Sequence, residues 1–172
     1  MIYLLFGFQL FVVLALIVVL YFLLRPIITG AVYLPTTPDR VEVVLALAEL
    51  KPGEKAADLG SGDGRMLVAF AKAGARVKGY EINPWLVHKS RRLIRQAGVT
   101  DRAAVVWRSF WRDSLAQFDV IYVYSIPYIM TRLEKKLLKE LKPGARVISN
   151  AFDFPTLPLI KKEDGIKVYI KK

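Results

Sequence analysis

A chain of 172 residues with a formal net charge of +11 and 54% hydrophobic residues has room for one domain of ordinary size plus an appendage. The absence of cysteine excludes a disulfide framework and a cysteine-based zinc site, and leaves the redox compartment open. The positive excess suits anionic lipid headgroups or nucleic acid, and equally plain solubility, so charge alone selects no partner.

From Ile2 to Leu24 the chain carries no charge, and Gln9 is its one strongly polar side chain. At ~1.5 Å per residue such a run covers a ~30 Å hydrocarbon core, which predicts a transmembrane helix over 1–25. A cleavable signal peptide would need a basic start, a shorter apolar core and small residues at the cut. Nothing basic precedes this run, and Arg25-Pro26 follows it. Arg25, Arg40 and a cationic remainder lie after the helix. The positive-inside rule therefore predicts a single-pass protein with its domain on the cytoplasmic side and the membrane lipid bilayer as a partner.

Residues 26–37 read as a connector and 38–172 as one domain. Thr37-Pro38-Asp39 predicts a helix start, with a hydroxyl at the N-cap, proline first and an acid in the first turn. Val41, Val44, Leu45 and Ala48 give that helix its apolar stripe, and Lys51-Pro52-Gly53 ends it. A strand over 55–59 runs into a glycine-rich turn and then a helix over 65–73, closed by Gly74. A strand follows over 75–80. Asn83 caps the next helix, with Pro84 at its first position and Gly98 at its end. Then come a strand over 104–108, an aromatic loop and an apolar strand over 118–124 of the kind buried on both faces. A helix over 128–141 carries Ile129, Leu133, Leu137 and Leu141 along one side, and a strand over 146–151 follows. Such alternation argues an α/β fold with a parallel sheet covered on both faces. The tail breaks the rhythm, because two short strands flank Glu163-Asp164-Gly165 as an antiparallel hairpin.

The strongest motif is Asp58-Leu59-Gly60-Ser61-Gly62-Asp63-Gly64, at the carboxyl end of the first strand. Open α/β sheets bind ligands there. A dinucleotide fingerprint would carry G-x-G-x-x-G and rest a pyrophosphate on the helix N-terminus. Here the spacing is G-x-G-x-G, and Arg65 stands where the dinucleotide motif has its third glycine. An acid opening the turn suits a cationic ligand, such as the ammonium and sulfonium of S-adenosylmethionine, better than a pyrophosphate. Glu81 ends the second strand, where an acid accepts hydrogen bonds from ribose hydroxyls.

These residues resemble class I S-adenosylmethionine-dependent methyltransferases, whose Rossmann-like sheet has five parallel strands and a C-terminal antiparallel hairpin. The chain is most similar to the small membrane-anchored protein-lysine methyltransferases. Mitochondrial members of that group modify the ADP/ATP carrier and the c subunit of ATP synthase. The matching stretches include YLPTTPDRV (33–41), DLGSGDGR (58–65), GYEINPWLV (79–87), SFWRDSLAQFDVIYVYSIPYIM (109–130) and ARVISNAFDFP (145–155). The resemblance implies S-adenosyl-L-methionine as cofactor, held by Asp58, Gly60, Ser61, Gly62, Gly64 and Glu81, with Ile82 or Phe110 stacking on adenine. Ser109 replaces the acid that often meets the adenine amino group, so either Ser109 or Asp113 takes that contact.

Methyl transfer from a sulfonium needs a positioned nucleophile and excluded water more than it needs an acid or base. A lysine acceptor fits a pocket of aromatic rings, which accept an ammonium and then favour the neutral amine by desolvation. Trp111, Tyr124, Tyr128, Phe152 and Phe154 are the candidates. Ser125-Ile126-Pro127-Tyr128 is similar to the proline-aromatic loop of enzymes acting on amide or base nitrogens, with one proline missing, and puts Pro127 among the acceptor-positioning residues. His88 and the basic cluster of Lys89, Arg91, Arg92 and Arg95 read as a solvated helix face. The expected acceptor is a lysine on a membrane protein. RNA or a lipid- or quinone-like small molecule is the alternative, and a non-enzymatic adaptor is a third. No RNA-binding module accompanies the domain, so nucleic acid is not an expected partner. No metal site is expected.

Overall fold

The structure, a computed structural model, describes residues 2–29 and 33–172. The chain divides into two compact units at 32/33.

The first unit is helix α1, Ile2–Thr29, which runs four residues past the end expected at 25. Every described side chain on it is exposed, including Phe6, Phe8 and Phe11. Among the described residues no helix is long and apolar enough to cross a membrane. The spanning helix expected over 1–25 is therefore not supported, and α1 stands as an apolar helix whose described side chains are exposed. Residues 30–32 of the expected connector lie outside the described residues.

The second unit opens with α2 (Pro38–Ala48), which starts at Thr37 as expected, although the Thr37 hydroxyl makes no capping bond. Then follow β1 (Lys55–Leu59), α3 (Arg65–Lys72), β2 (Arg76–Glu81), α4 (Pro84–Gln96) and β3 (Ala103–Trp107). A 3-10 turn at Phe110–Arg112 leads to β4 (Val120–Val123), α5 (Pro127–Glu140) and β5 (Arg146–Asn150). The hairpin is β6 (Leu159–Glu163) and β7 (Ile166–Ile170). Asn83 caps α4 through its side chain, accepting from the Trp85 and Leu86 amides.

The seven strands lie in the order β3-β2-β1-β4-β5-β7-β6. β1 to β5 are parallel, and β7 runs antiparallel between β5 and β6. The fold is therefore an α/β sheet of five parallel strands closed by a C-terminal antiparallel hairpin, as the resemblance implies. The two-residue period of each strand divides the apolar residues between two cores. Ala56, Val120, Tyr122 and Ile148 face α2, α3 and α4, while Ala57, Ile121, Val123 and Val147 face α5. On α5 the buried stripe is Ile129, Met130, Leu133 and Leu137, the spacing that one helix face requires.

Strand order reverses between β1 and β4. Such a switch point opens a crevice at the carboxyl edge of the sheet, and the chemistry-bearing residues gather along that edge.

Candidate active site

The turn after β1 is fastened to the tip of β2. The Gly60 and Ser61 amides both donate to the Tyr80 carbonyl at 3.0 Å. The Gly62 amide donates to Glu81 Oε2 at 2.9 Å. Glu81 Oε1 accepts from the Ile82 and Asn83 amides, each at 2.8 Å. This buried carboxylate thus holds two loops together. A carboxylate offers about four acceptor positions, so after three backbone donors Glu81 keeps room for about one more. That is fewer than a two-hydroxyl grip on a ribose uses, and the bonds present make Glu81 a staple of the turn.

The glycines divide into two groups. Gly60 has φ +104, and a Cβ built on it would meet nothing within 4 Å. It leaves open space in a backbone conformation that side chains resist. At Gly64 a Cβ would lie 2.2 Å from the Ser90 hydroxyl of α4, so this glycine serves the close approach of two helices. Ser61 is buried, with its hydroxyl turned against Gly79 of β2, where a Cβ would lie 2.6 Å from it. The Ser61 amide and carbonyl are engaged as well, by the Tyr80 carbonyl and the Gly64 amide, so Ser61 shapes the turn. Gly79, whose role the matching stretch 79–87 does not explain, is thereby required by Ser61.

Asp58 is 2% exposed, and among the described residues no donor reaches its carboxylate. Burial, reinforced by Glu81 and Asp63 nearby, pushes its pKa well above the ordinary carboxylate range. An unpaired buried carboxylate is costly, and a cationic ligand group would relieve it. Asp63 is different. Arg65 meets it through two nitrogens and Tyr33 through its hydroxyl at 3.1 Å, and its pKa falls below the ordinary value because the arginine contacts outweigh partial burial.

The segment before α2 is strapped across the same edge. The Tyr33 ring lies where a Cβ on Gly62 would need space. The Thr36 carbonyl accepts from Arg65 at 2.7 Å, and the Thr36 hydroxyl meets Tyr122 Oη at 3.0 Å. Asn150 donates to that same phenol, and Arg40 donates to Asn150. Burial raises the Tyr122 phenol to about 12, so it stays protonated. These four partners are up to 114 positions apart in sequence, counting Thr36 to Asn150.

On the adenine side, Ile82 is half-buried, and its carbonyl accepts from the Trp107 indole at 3.0 Å. Phe110 is 7% exposed, part of the α5 core and packed on Trp111. The structure thus places this expected adenine-stacking residue at the α5 core. Ser109 is half-buried at the head of the 3-10 turn, with no capping bond from its side chain. Both oxygens of Asp113 are taken by Arg108 and Lys78, which hold its pKa low, Arg108 first. Of the two residues expected to meet adenine, Ser109 is the one with its side chain uncommitted.

On the acceptor side, Tyr124 and Phe152 are half-buried, Pro127 opens α5 and Tyr128 is 61% exposed. Trp111 already has a cation over its ring, Arg132 at 4.4 Å. Phe154 packs edge-on against Tyr169 in the core, 5% exposed, and is corrected from acceptor contact to core residue. His88 is exposed and stacks on Trp85. The loop after β5 is heavily fastened. Ala151 adopts φ +80, a strained value for alanine, and its carbonyl accepts from buried Lys167 at 3.0 Å. Lys167 also pairs with Asp153 at 2.7 Å. The Thr156 and Leu157 amides both donate to Glu134, which is buried on α5.

Residues 58–161 match the family model of the ANTKMT methyltransferase domain. The chain belongs to that family. It is 40% identical to the Mus musculus lysine N-methyltransferase named for the c subunit of ATP synthase, over 78% of this chain and 57% of that protein. It is 33% identical to a protein-lysine N-methyltransferase of Saccharolobus islandicus, over 77% of this chain and 86% of that one. Among solved structures, the RNA methyltransferase from Salinibacter ruber in complex with S-adenosyl-L-homocysteine matches with a TM-score of 0.72 at 32% identity. That match covers 80% of this chain and 92% of the other. The chain spans little more than half the length of the vertebrate relatives it matches. S-adenosylmethionine is the cofactor of this methyltransferase family, and the open turn at Gly60 with the unpaired Asp58 fits its cationic end.

Proposed function

We propose that the protein is a membrane-attached S-adenosylmethionine-dependent methyltransferase that methylates lysine side chains of a membrane protein. The observation that carries the reading is Asp58, a buried carboxylate without a donor beside the open turn at Gly60. The relatives named as lysine methyltransferases, two of them for the c subunit and for the adenine nucleotide translocase, support the acceptor.

S-adenosylmethionine supplies a methyl group already activated on a sulfonium. Asp58 accepts the ammonium of its methionine end, and Gly60 leaves room for its approach. Glu81 takes one ribose hydroxyl with its remaining acceptor position. Ile82 and Ser109 border the base. Tyr124, Pro127, Tyr128 and Trp111 stand on the acceptor side, where rings and carbonyls receive an ammonium by cation–π contact and favour its neutral form by removing water. Tyr122, held protonated, fixes the strap from Thr36 to Asn150 behind the site.

Attachment rests on the charge-free run Ile2–Leu24 and on the exposed apolar side chains of α1. The basic residues that follow favour the cytoplasmic side for the domain. A second reading, RNA methylation, is favoured by the likeness to the Salinibacter ruber enzyme. Methyl-labelled S-adenosylmethionine added to membranes holding the full chain separates the two. Label on lysine in a membrane-protein band is the expected result. Label in RNA or in the lipid extract alone would overturn it, and alkaline carbonate extraction that frees the chain would remove the attachment.

A further inference from the structure

Aromatic exposure on the 33–172 unit is unevenly distributed, whereas the exposed aliphatic residues Leu138, Leu159 and Ile160 lie on α5 and β6. The unit's exposed tyrosines and tryptophans are Tyr33, Trp85, Trp107 and Tyr128, at 42%, 69%, 61% and 61%. All four lie at the carboxyl edge of the sheet. Trp85 is in the first turn of α4, Trp107 ends β3, Tyr128 is in the first turn of α5 and Tyr33 packs on the turn after β1. The opposite edge has the turns 51–54, 97–102 and 141–145, which carry no aromatic residue. Leaving a tryptophan in water forgoes a large burial, and a cluster of such side chains along one rim marks an interaction surface.

Charge identifies the partner. Lys89 and Arg92 are exposed and share an open groove with Asp63 of the glycine turn, which puts them near the same edge. Arg108, next to Trp107 in the chain, and Arg112, in the 3-10 turn that follows, are exposed. The acids of this rim are already engaged, Asp63 by Arg65 and Asp113 by two cations. Arg25 is the one charged residue before 33, so the net +11 of the chain belongs almost wholly to this unit. Tryptophan and tyrosine with lysine and arginine around them are the side chains that settle at a bilayer interface, and cations add attraction to anionic lipid.

We infer that the carboxyl edge of the domain docks on an anionic lipid surface through Trp85, Trp107 and Tyr128, with Lys89, Arg92 and Arg112 meeting the headgroups. The mouth of the candidate active site then opens toward the bilayer. A lysine presented at headgroup level reaches it without leaving the membrane. This inference deepens the proposed membrane-attached function and is tested separately from it.

The chain has three tryptophans, Trp85, Trp107 and Trp111, and none before residue 33, so indole fluorescence reports on this unit and not on α1. The full chain is mixed with vesicles of phosphatidylcholine, alone or with about one third phosphatidylglycerol, carrying brominated acyl chains near the headgroup. Docking predicts a blue shift and quenching of at least about one third of the emission with anionic vesicles, and much less with neutral ones. Trp85→Phe with Trp107→Phe removes most of the quenched signal. Lys89→Gln and Arg92→Gln each weaken the anionic requirement about fivefold. Thermal melts check that the variants fold.

Flotation with neutral vesicles reads attachment by α1. A chain that floats but whose tryptophans are quenched equally little in both lipids keeps the attachment and overturns the docking face. One that fails to float with neutral vesicles, yet is quenched by anionic ones, does the reverse. Tryptophan variants that lose acceptor-protein labelling with no lipid quenching in the parent would assign the rim to a protein partner and overturn the inference.

Discussion

The two halves of the carboxyl edge are built differently. Around β1 and β2 the site consists of backbone and buried acids, with the turn pinned by Tyr80 and Glu81 and its side chains turned inward or absent. Around β4 and β5 it consists of half-exposed rings on a loop held by distant buried charges, Lys167 and Glu134. A half made of backbone receives a ligand that never changes. One made of side chains on a fastened loop can be retuned for different acceptors, as the protein and RNA names among the relatives suggest.

Substitutions can break this contrast from either side. Gly60→Arg has the largest expected effect, because it fills the open space and adds backbone strain at φ +104. S-adenosylhomocysteine binding should fall by more than about 100-fold, on the order of 3 kcal/mol, with the circular dichroism spectrum retained. Binding near the parent value would refute the donor site. Glu134→Ala should act on the other half, leaving one buried and one part-buried amide without their acceptor at a cost of about 1–3 kcal/mol. Thermal melts measure that loss, and cofactor affinity should change less than twofold. A large drop in affinity would mean that the halves are not separate.

Asp58→Asn sharpens the comparison through pH. The folded, cofactor-free carboxyl has a raised pKa, so the folded state retains a proton that the unfolded chain has released. Stability from this group therefore falls as pH rises from the ordinary carboxylate range through the raised value. The asparagine variant should gain on the parent across that window by about 1 kcal/mol or more, while losing cofactor affinity at least about tenfold, the cost of a charge-assisted hydrogen bond. Because the ammonium requires the carboxylate, parent binding should strengthen with pH over the same window. A flat pH profile would remove Asp58 from the site. The smallest effect is expected from Tyr128→Ala, which should raise the acceptor KM a few-fold and leave cofactor binding alone, since a cation–π contact at an exposed ring contributes about 0.5–1 kcal/mol.

The elements around β1 and β2 were almost entirely legible in the sequence. Asp58 to Gly64 is contiguous, and glycine and proline punctuate every neighbouring element, so Asn83-Pro84 and Gly98 bracketed α4 within two residues. The sequence was less informative wherever a residue acts through a remote partner. Nothing local marks Gly79 as the seat for Ser61, Tyr122 as the link from Thr36 to Asn150, or Lys167 as the hold on Ala151. Aromatic residues misled for a related reason. Phe110 and Phe154 stand at strand ends like the acceptor candidates, but they pack into the α5 core, and a ring's burial depends on what crosses over it. Side-chain capping at Thr37 failed although the helix begins there, since Pro38 sets the start by its fixed φ.

Calorimetric titration of the detergent-solubilised full chain with S-adenosylhomocysteine, and separately with a nicotinamide dinucleotide, bears most directly on the donor site. The account predicts saturable one-to-one binding of the first and no heat from the second. Tight dinucleotide binding with no response to S-adenosylhomocysteine would contradict it.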